Sequence, residues 1–340
     1  GGSPIDLMAA AVKIAAEDGG VTEKYLQQAD LLMTTSLFSD DGIANPPGCV
    51  ADKLNLTDAR CRVSGFGGVM PHAVLHHAMQ EIAGGKAGLV ILTGAEAQHT
   101  MQQAKNSKTF TGWNVASGRP CLPPLTPLGL FDGACETEHI HGLSLPAYVY
   151  PMFENALRRR YGCTIEEHAE KIGRLMSRLS LVAAKNPLAW FQHSFTPEEI
   201  MTLSETNRNT AFPYTKRMNA MLLVNQAAAL LVASEAQAQK MGVNPLKWVY
   251  VHGYAEANDH LNVLEREGYG FSPAIEIAGR TALKQAGLTI EDIDFFDLYS
   301  CFPVAVQVTR DMLGIPENDS RDLTVTGGLP YFGGPGNNYV

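Results

Sequence analysis

The sequence contains an internal repeat, and this repeat limits the fold more than any other feature. Ser3-Pro4-Ile5-Asp6-Leu7-Met8-Ala9 and Ser272-Pro273-Ala274-Ile275-Glu276-Ile277-Ala278 open two similar segments, which close at Glu17-Asp18-Gly19 and Gln285-Ala286-Gly287. The first reads as a helix. Ser3 is a good N-cap, Pro4 suits the first helical position, and Asp6 stands where a capping carboxylate belongs. Leu7, Met8, Ala11, Val12 and Ala15 share one face, and Gly19-Gly20 ends the run. Each copy continues into a threonine, an acidic stretch and an apolar run that reads as a buried strand: Ala29-Asp30-Leu31-Leu32 in one, Ile293-Asp294-Phe295-Phe296 in the other. Further on, Ile91-Leu92-Thr93-Gly94 is echoed by Thr324-Val325-Thr326-Gly327. Two amphipathic helices can look alike by chance, but several elements in the same order and spacing point to duplication.

The remaining pattern supports an α/β chain. Strands are predicted at 31–36 and 62–66, and a short helix near 49–54. Gly67-Gly68 ends the second strand, and Pro71 opens a helix reaching Ile82. After Gly84-Gly85, Leu89-Val90-Ile91-Leu92 reads as a buried strand ending at Gly94-Ala95-Glu96. Apolar strands separated by helices indicate a parallel sheet covered by helices. Residues 100–215 differ, with prolines and aromatics interrupting several helices. Thr164–Glu167 and Thr196–Glu199 are capping boxes that start helices near 165 and 197. The chain thus divides into a first half at 1–99, a helical insertion at 100–215 and a second half at 216–340.

Composition removes several function classes. A net charge of -9 argues against a nucleic-acid footprint, which needs a basic face, and leaves room for a small basic patch toward a phosphorylated ligand. The six cysteines lie far apart without a CxxC pair and read as free thiols of a reducing compartment. The N-terminus has no basic-then-apolar signal and no apolar run approaches a membrane span, so a soluble cytoplasmic protein is expected. No metal site is predicted. His76 and His77 are neighbours and cannot face one helix side together, and no carboxylate motif supports zinc at His72 and His76. Glu136, Glu138, His139 and His141 read either as an exposed polar loop or as possible ligands.

Two polar tips suggest a constructed pocket. One is Tyr299-Ser300-Cys301, at the end of the apolar run and before the helical pattern opened by Phe302-Pro303. The other is the glycine-rich run from Gly327 to Tyr339. Tyr299 is either a proton-handling phenol or a core tyrosine with a bonded hydroxyl. Asn337 and Asn338 either donate near a substrate oxygen or close a turn. His72, in a helix first turn, is either a neutral donor or a packing histidine. Cys301 reads as a buried structural thiol. No Gly-Lys-Ser/Thr follows the glycine run, which excludes a Walker loop.

Together these residues resemble the thiolase fold over essentially the whole chain. Gln80–Gly94 is similar to the helix–strand unit that follows the thiolase nucleophile, with Glu96 matching a glutamate at the strand end. Asn186-Pro187-x-Ala189 and Asn225–Val232 are also family-like. Tyr299-Ser300-Cys301-Phe302 stands in place of a His-x-Cys-Phe or Asn-Glu-x-Phe motif, and Gly333-Gly334-Pro335 in place of Gly-His-Pro. The resemblance implies duplicated βαβαβ halves in a five-layered αβαβα core with an inserted loop domain. The family's first strand and last cysteine motif have no counterpart here. The resemblance also implies acyl-CoA chemistry, with coenzyme A arriving as part of the substrate and no permanently bound cofactor.

The departures bear on mechanism. The nucleophilic cysteine position falls at Gly68, the catalytic histidine position at Gly334, and the other motif's His or Asn position at Tyr299. Glycine carries no nucleophile, so an acyl-cysteine cannot form at position 68. The main-chain N–H groups of Gly68, Gly333 and Gly334 remain as oxyanion donors in this reading, with Asn337, Asn338 and His72 near the thioester. Tyr299 and Tyr339 resemble the tyrosine pair of thiolase-like aldolases. This implies carbon–carbon cleavage or formation, of retro-aldol type, without a covalent acyl-enzyme. The alternative is a non-catalytic CoA-ester-binding or scaffold subunit. The resemblance further implies a homodimer and a possible small zinc-ribbon/OB-fold partner that binds acyl-CoA. The basic residues Arg158, Arg159, Arg160, Lys171, Arg174 and Arg178 either meet CoA phosphates or form a solvated helix face.

Overall fold

A computed structural model describes residues 2–39, 42–109, 111–125 and 134–339. Two compact units emerge. One contains Gly1–Leu130, Leu222–Tyr250 and Pro335–Val340; the other contains Phe131–Met221 and Val251–Gly334.

The first unit is built on a four-stranded sheet in the order Arg60–Val63, Leu31–Thr34, Leu89–Ala97, Asn225–Ala233. The first three strands are parallel and the last runs antiparallel. Side-chain alternation splits the apolar residues between two faces. Leu32, Leu89, Ile91 and Ala95 pack with Ile5, Met8, Ala9 and Val12 of the Pro4–Gly19 helix. Leu31, Met33, Val90 and Leu92 pack with Val74 and Ala78 of the Met70–Ala83 helix. Both faces of the strands are therefore covered, which explains why the sequence of Leu89–Leu92 is continuously apolar. Met8 and Val12 are fully enclosed, each contributing about 1.5–3 kcal/mol relative to an exposed side chain.

The helix caps form as the sequence predicts. Ser3 Oγ accepts from Asp6 N at 3.1 Å, and Asp6 accepts from Ser3 N at 2.9 Å. Thr164 and Thr196 form the same box with Glu167 and Glu199, starting helices Ile165–Lys185 and Pro197–Met201. The repeated segments become helices Pro4–Gly19 and Pro273–Ala286, each followed by a left-handed glycine, Gly20 or Gly287.

Several boundaries differ from the sequence reading. The strand expected at 62–66 is Arg60–Val63, and the one at 31–36 stops at Thr34. The strand starting at Leu89 runs on to Ala97, paired with Asn225–Ala233 along its full length. The helix expected near 49–54 is Pro46–Lys53, because the Asn45 side chain accepts from Gly48 N at 3.2 Å and caps it earlier. The larger correction concerns the run at Ile293–Phe296. No strand is assigned there, Phe295 is 79% exposed, and only Phe296 is buried. Leu298 N donates to Leu323 O at 2.9 Å, without a regular ladder beside it. A strand needs repeated backbone pairing as well as apolar residues, and apolar composition alone does not provide it.

In the second unit, helices Pro146–Tyr161, Ile165–Lys185 and Pro303–Met312 meet around Glu154. This buried carboxylate accepts from His168 Nε2 at 2.6 Å, Tyr214 OH at 2.7 Å and Gln307 Nε2 at 2.9 Å. Among the described residues of the chain, no helix is long and apolar enough to cross a membrane.

Candidate functional site

In the first unit, Asn337 and Asn338 are tied to the ends of the sheet. Asn337 Oδ1 accepts from Gly67 N at 2.8 Å, and its Nδ2 donates to Ser36 O at 3.0 Å. Asn338 Nδ2 donates to Ala95 O and Pro335 O, each at 3.1 Å, while its Oδ1 accepts from Thr35 Oγ1. Asn338 also lies directly over Gly94, where any Cβ would collide with its side chain. An amide nitrogen carries two protons, so Asn338 has both committed to the backbone, and among the described residues Asn337 has one committed and one left for another acceptor. Gly68 lies in the turn before the Met70–Ala83 helix, with Val69 as its cap. In the first turn of that helix, Met70 N donates to Gly67 O at 3.2 Å, Ala73 N donates to Val69 O at 3.1 Å, and Pro71 has no N–H. His72 lies within that first turn. Tyr339 is buried.

Glu96 shapes this end of the sheet. It is fully buried and accepts from Phe38 N at 2.7 Å, Ser39 N at 3.0 Å and Ser39 Oγ at 2.6 Å. Burial raises its pKa, and these hydrogen bonds oppose the rise. The geometry makes it a loop holder, since its oxygens are occupied by the chain at 38–39.

In the second unit, Tyr299 and Ser300 precede Cys301 at the start of the Pro303–Met312 helix. Ser300 Oγ accepts from Leu329 N at 3.0 Å and so links the two polar tips. Gly328 has a φ of +76°, and a Cβ there would stand 2.8 Å from Ser300 Oγ and 2.9 Å from Leu179 Cδ2. Both the backbone conformation and the close approach require glycine. Gly334 N donates to Met221 O at 2.8 Å, so this main-chain donor is already engaged; Gly333 precedes it with a φ of +130°. Cys301 is buried, and its thiol is pushed from 9.0 to about 12, chiefly by burial. It therefore remains a thiol at neutral pH and is a poor nucleophile.

The nearest cysteine in sequence to Gly68 is no more reactive. Cys61 sits inside the Arg60–Val63 strand with its side chain in the core, and burial pushes its thiol to about 11. The basic residues of the insertion are largely engaged. Lys171 pairs with Glu317 at 2.6 Å, Arg160 donates to Gly270 O at 2.8 Å, and Arg178 donates to Arg321 O at 2.9 Å. His77 contacts Arg62 at 2.8 Å, while His76 contacts Gln80 at 3.3 Å.

Sequence reasoning missed Tyr150 and Tyr331. Tyr150 stacks on Phe302, with ring centroids 4.6 Å apart. It arises from a distant helix, and no local pattern marks it. Tyr331 lies within the glycine run, almost fully buried, with a hydroxyl that has no hydrogen-bond partner among the described residues. A buried orphan hydroxyl calls for a water or another polar atom beside it.

Comparison with known proteins accounts for this arrangement. Residues 255–334 match the family model described as "Thiolase C-terminal domain-like". A monomeric SCP2-thiolase-like protein type 1 from Mycobacterium smegmatis superposes with a TM-score of 0.82 at 33% identity. The match covers 100% of this chain and 65% of that one. These matches support a thiolase-superfamily assignment. An acetyl-CoA acetyltransferase of Methanocaldococcus jannaschii is 27% identical over 183 residues, covering 53% of this chain and 43% of the archaeal enzyme. The chain thus spans less than half the length of that curated relative. A structure titled "Ltp2-ChsH2(DUF35) aldolase" shares the thiolase fold, with a TM-score of 0.68 at 20% identity, covering 98% of this chain and 81% of that one.

Proposed function

We propose that this thiolase-superfamily chain processes acyl-CoA thioesters by making or breaking a carbon–carbon bond without an acyl-cysteine intermediate. The observation that carries this reading is the state of the thiols. Position 68 is glycine, and Cys61 and Cys301 are both buried and held protonated. In the retro-aldol direction, a base takes the proton of a 3-hydroxyl group. The bond between C2 and C3 breaks, C3 becomes a carbonyl, and the electron pair forms the thioester enolate. A proton returned to C2 completes the shorter acyl-CoA. Tyr299 and Tyr339 are the phenols to which these proton transfers are assigned. The enolate oxygen requires donors. Gly68 and Gly333 N–H, the remaining Asn337 proton and His72 are the groups proposed for it.

The test is incubation with a panel of 3-hydroxyacyl-CoA, 3-ketoacyl-CoA and saturated acyl-CoA thioesters. Tyr299→Phe is expected to abolish product formation while acyl-CoA binding survives, and unchanged rates would reject the role of Tyr299. A second reading, a non-catalytic CoA-ester-binding or scaffold subunit, is favoured by the engaged donors of Gly334 and Asn338. Binding without any product across the panel supports that reading.

The proposal extends to partners. The named aldolase structure pairs Ltp2 with a DUF35 protein, and a small zinc-ribbon/OB-fold partner is proposed here by analogy. A homodimer is proposed as well. Light scattering of the chain, alone and with such a partner, distinguishes these assemblies.

A further inference from the structure

We propose that the second unit carries a binding site for an organic phosphate, built on one face of the Ile165–Lys185 helix. The site does not depend on the carbon–carbon chemistry proposed above.

Lys171, Arg174 and Arg178 stand at i, i+3 and i+7 of that helix and so share a face. With Tyr161, Arg310 and Glu317 they line a cavity of about 210 Å³. Arg310 is the buried cation of the set, 7% exposed. Its Nε and Nη2 donate to Asp311 Oδ1 at 3.1 and 2.7 Å, and Nη2 donates to Tyr161 OH at 2.9 Å. Among the described residues its Nη1 makes no hydrogen bond. Arg310 lies in the last turn of the Pro303–Met312 helix, about 12 Å along the axis from Phe302. The cavity is therefore separate from the polar tip at Tyr299–Cys301, which precedes that helix.

The charges around the cavity do not cancel. Asp311 offsets Arg310, and Glu317 offsets Lys171 through contacts of 2.6 and 2.7 Å. Arg178 donates to Asp319 O at 3.1 Å and to Arg321 O at 2.9 Å; these carbonyls satisfy its N–H groups and leave its charge. Asp322 stands 3.4 Å from Arg178, and Glu170 3.5 Å from Arg174, in exposed pairs that solvent screens. Two cations are thus left weakly paired. A phosphate monoester carries about −1.5 to −2 charges and three acceptor oxygens, which match two cations and the uncommitted Arg310 nitrogen. A carboxylate supplies one charge and two oxygens and leaves a cation over. Glu317 reports the same convergence. Its pKa is lowered by the Lys171 hydrogen bond and, against a rise from burial, by the charges of Lys171, Arg310 and Arg174.

The small cavity has room for the phosphate group, and the organic part has its own place. A second cavity of about 840 Å³ shares Arg178 and is lined by Leu181, Val182, Pro187 and Val325, of which Leu181 and Val325 are exposed. Asp319 and Asp322 also line it and disfavour further phosphate groups there.

The experiment is isothermal titration calorimetry of the full chain with adenosine 3′-phosphate, adenosine, coenzyme A and 3′-dephospho-coenzyme A, with thermal melts to confirm that each variant is folded. Adenosine 3′-phosphate is expected to bind and adenosine not. Arg174→Gln should weaken that binding about tenfold. Glu317→Gln removes the competing carboxylate, frees Lys171 and should tighten it. Coenzyme A binding more tightly than its 3′-dephospho form, with the difference lost in Arg174→Gln, makes the coenzyme's own phosphate the occupant. Equal binding of those two, beside variant-sensitive binding of adenosine 3′-phosphate, assigns the site to a separate phosphorylated molecule. An ion-pair network that only fastens the helices gives neither result. No binding of adenosine 3′-phosphate or coenzyme A, or binding that both variants leave unchanged, overturns the proposal. Binding is read without turnover, so its failure and the failure of the carbon–carbon reading are separate outcomes.

Discussion

Replacing Glu154 with alanine tests whether the second unit is organised around that carboxylate. Glu154 is completely buried and accepts from three donors on three separate segments: His168, Tyr214 and Gln307. Truncation would leave His168 Nε2 and Gln307 Nε2 buried without this acceptor, and Tyr214 OH with only the 3.5 Å contact to Tyr150 O. Leaving a buried donor unsatisfied costs about 1–3 kcal/mol. These costs are not additive, because water entering the vacated volume re-satisfies some donors. A net loss of about 4 kcal/mol follows, a large share of the ~5–15 kcal/mol that stabilises a typical fold. The assay is native-state hydrogen exchange read peptide by peptide. Protection should fall in Pro146–Tyr161 and Pro303–Met312, while Leu89–Ala97 in the other unit keeps its own. Tyr214→Phe removes a single donor and should cost about 1–2 kcal/mol. If Glu154→Ala exchanges within about 1 kcal/mol of wild type in those helices, the network does not hold them together and the argument fails.

Three further outcomes are expected. Gly94→Ala should destabilise the first unit by about 1–3 kcal/mol, because the new methyl displaces Asn338. In the Asn338→Ala background the same change should cost clearly less, as a thermal-melt mutant cycle would show. Cys301 titrates at about 12 in the folded chain against 9.0 ordinarily, so folding holds its proton. The stabilisation is complete below pH 9 and is lost as pH rises from 9 toward 12, because the unfolded thiol ionises first. The loss is up to about 4 kcal/mol, and Cys301→Ala should flatten the alkaline limb of a pH–stability profile. Iodoacetamide at pH 8 should label exposed Cys121 before buried Cys49, Cys61 and Cys301, with mass mapping as the readout.

The legible parts of the fold were those fixed by local chemistry. Ser3, Thr164 and Thr196 announced helix starts because a cap is decided within four residues. The continuous apolar run at Leu89–Leu92 announced a strand buried on both faces, and the sheet provides both covering layers. The apolar run at Ile293–Phe296 carried a similar signal but lacked its backbone partners, which a pattern cannot reveal. At the candidate site, Tyr299 and the glycine run were visible as punctuation between periodic segments. Tyr150 was not, because its contact is a ring stack on Phe302, 152 positions away. Asn337 and Asn338 were visible as polar residues, but their backbone partners at 36, 67 and 95 depend on how distant strand ends meet.

The central claim is carbon–carbon chemistry on a CoA thioester without a covalent acyl-cysteine. Acid-quenched intact-mass spectrometry during incubation with the thioester panel, alongside product analysis of the same samples, tests it most directly. The account predicts shorter or longer acyl-CoA products accumulating while the protein mass stays unmodified. An acyl adduct mapped to any of the six cysteines during turnover would contradict it.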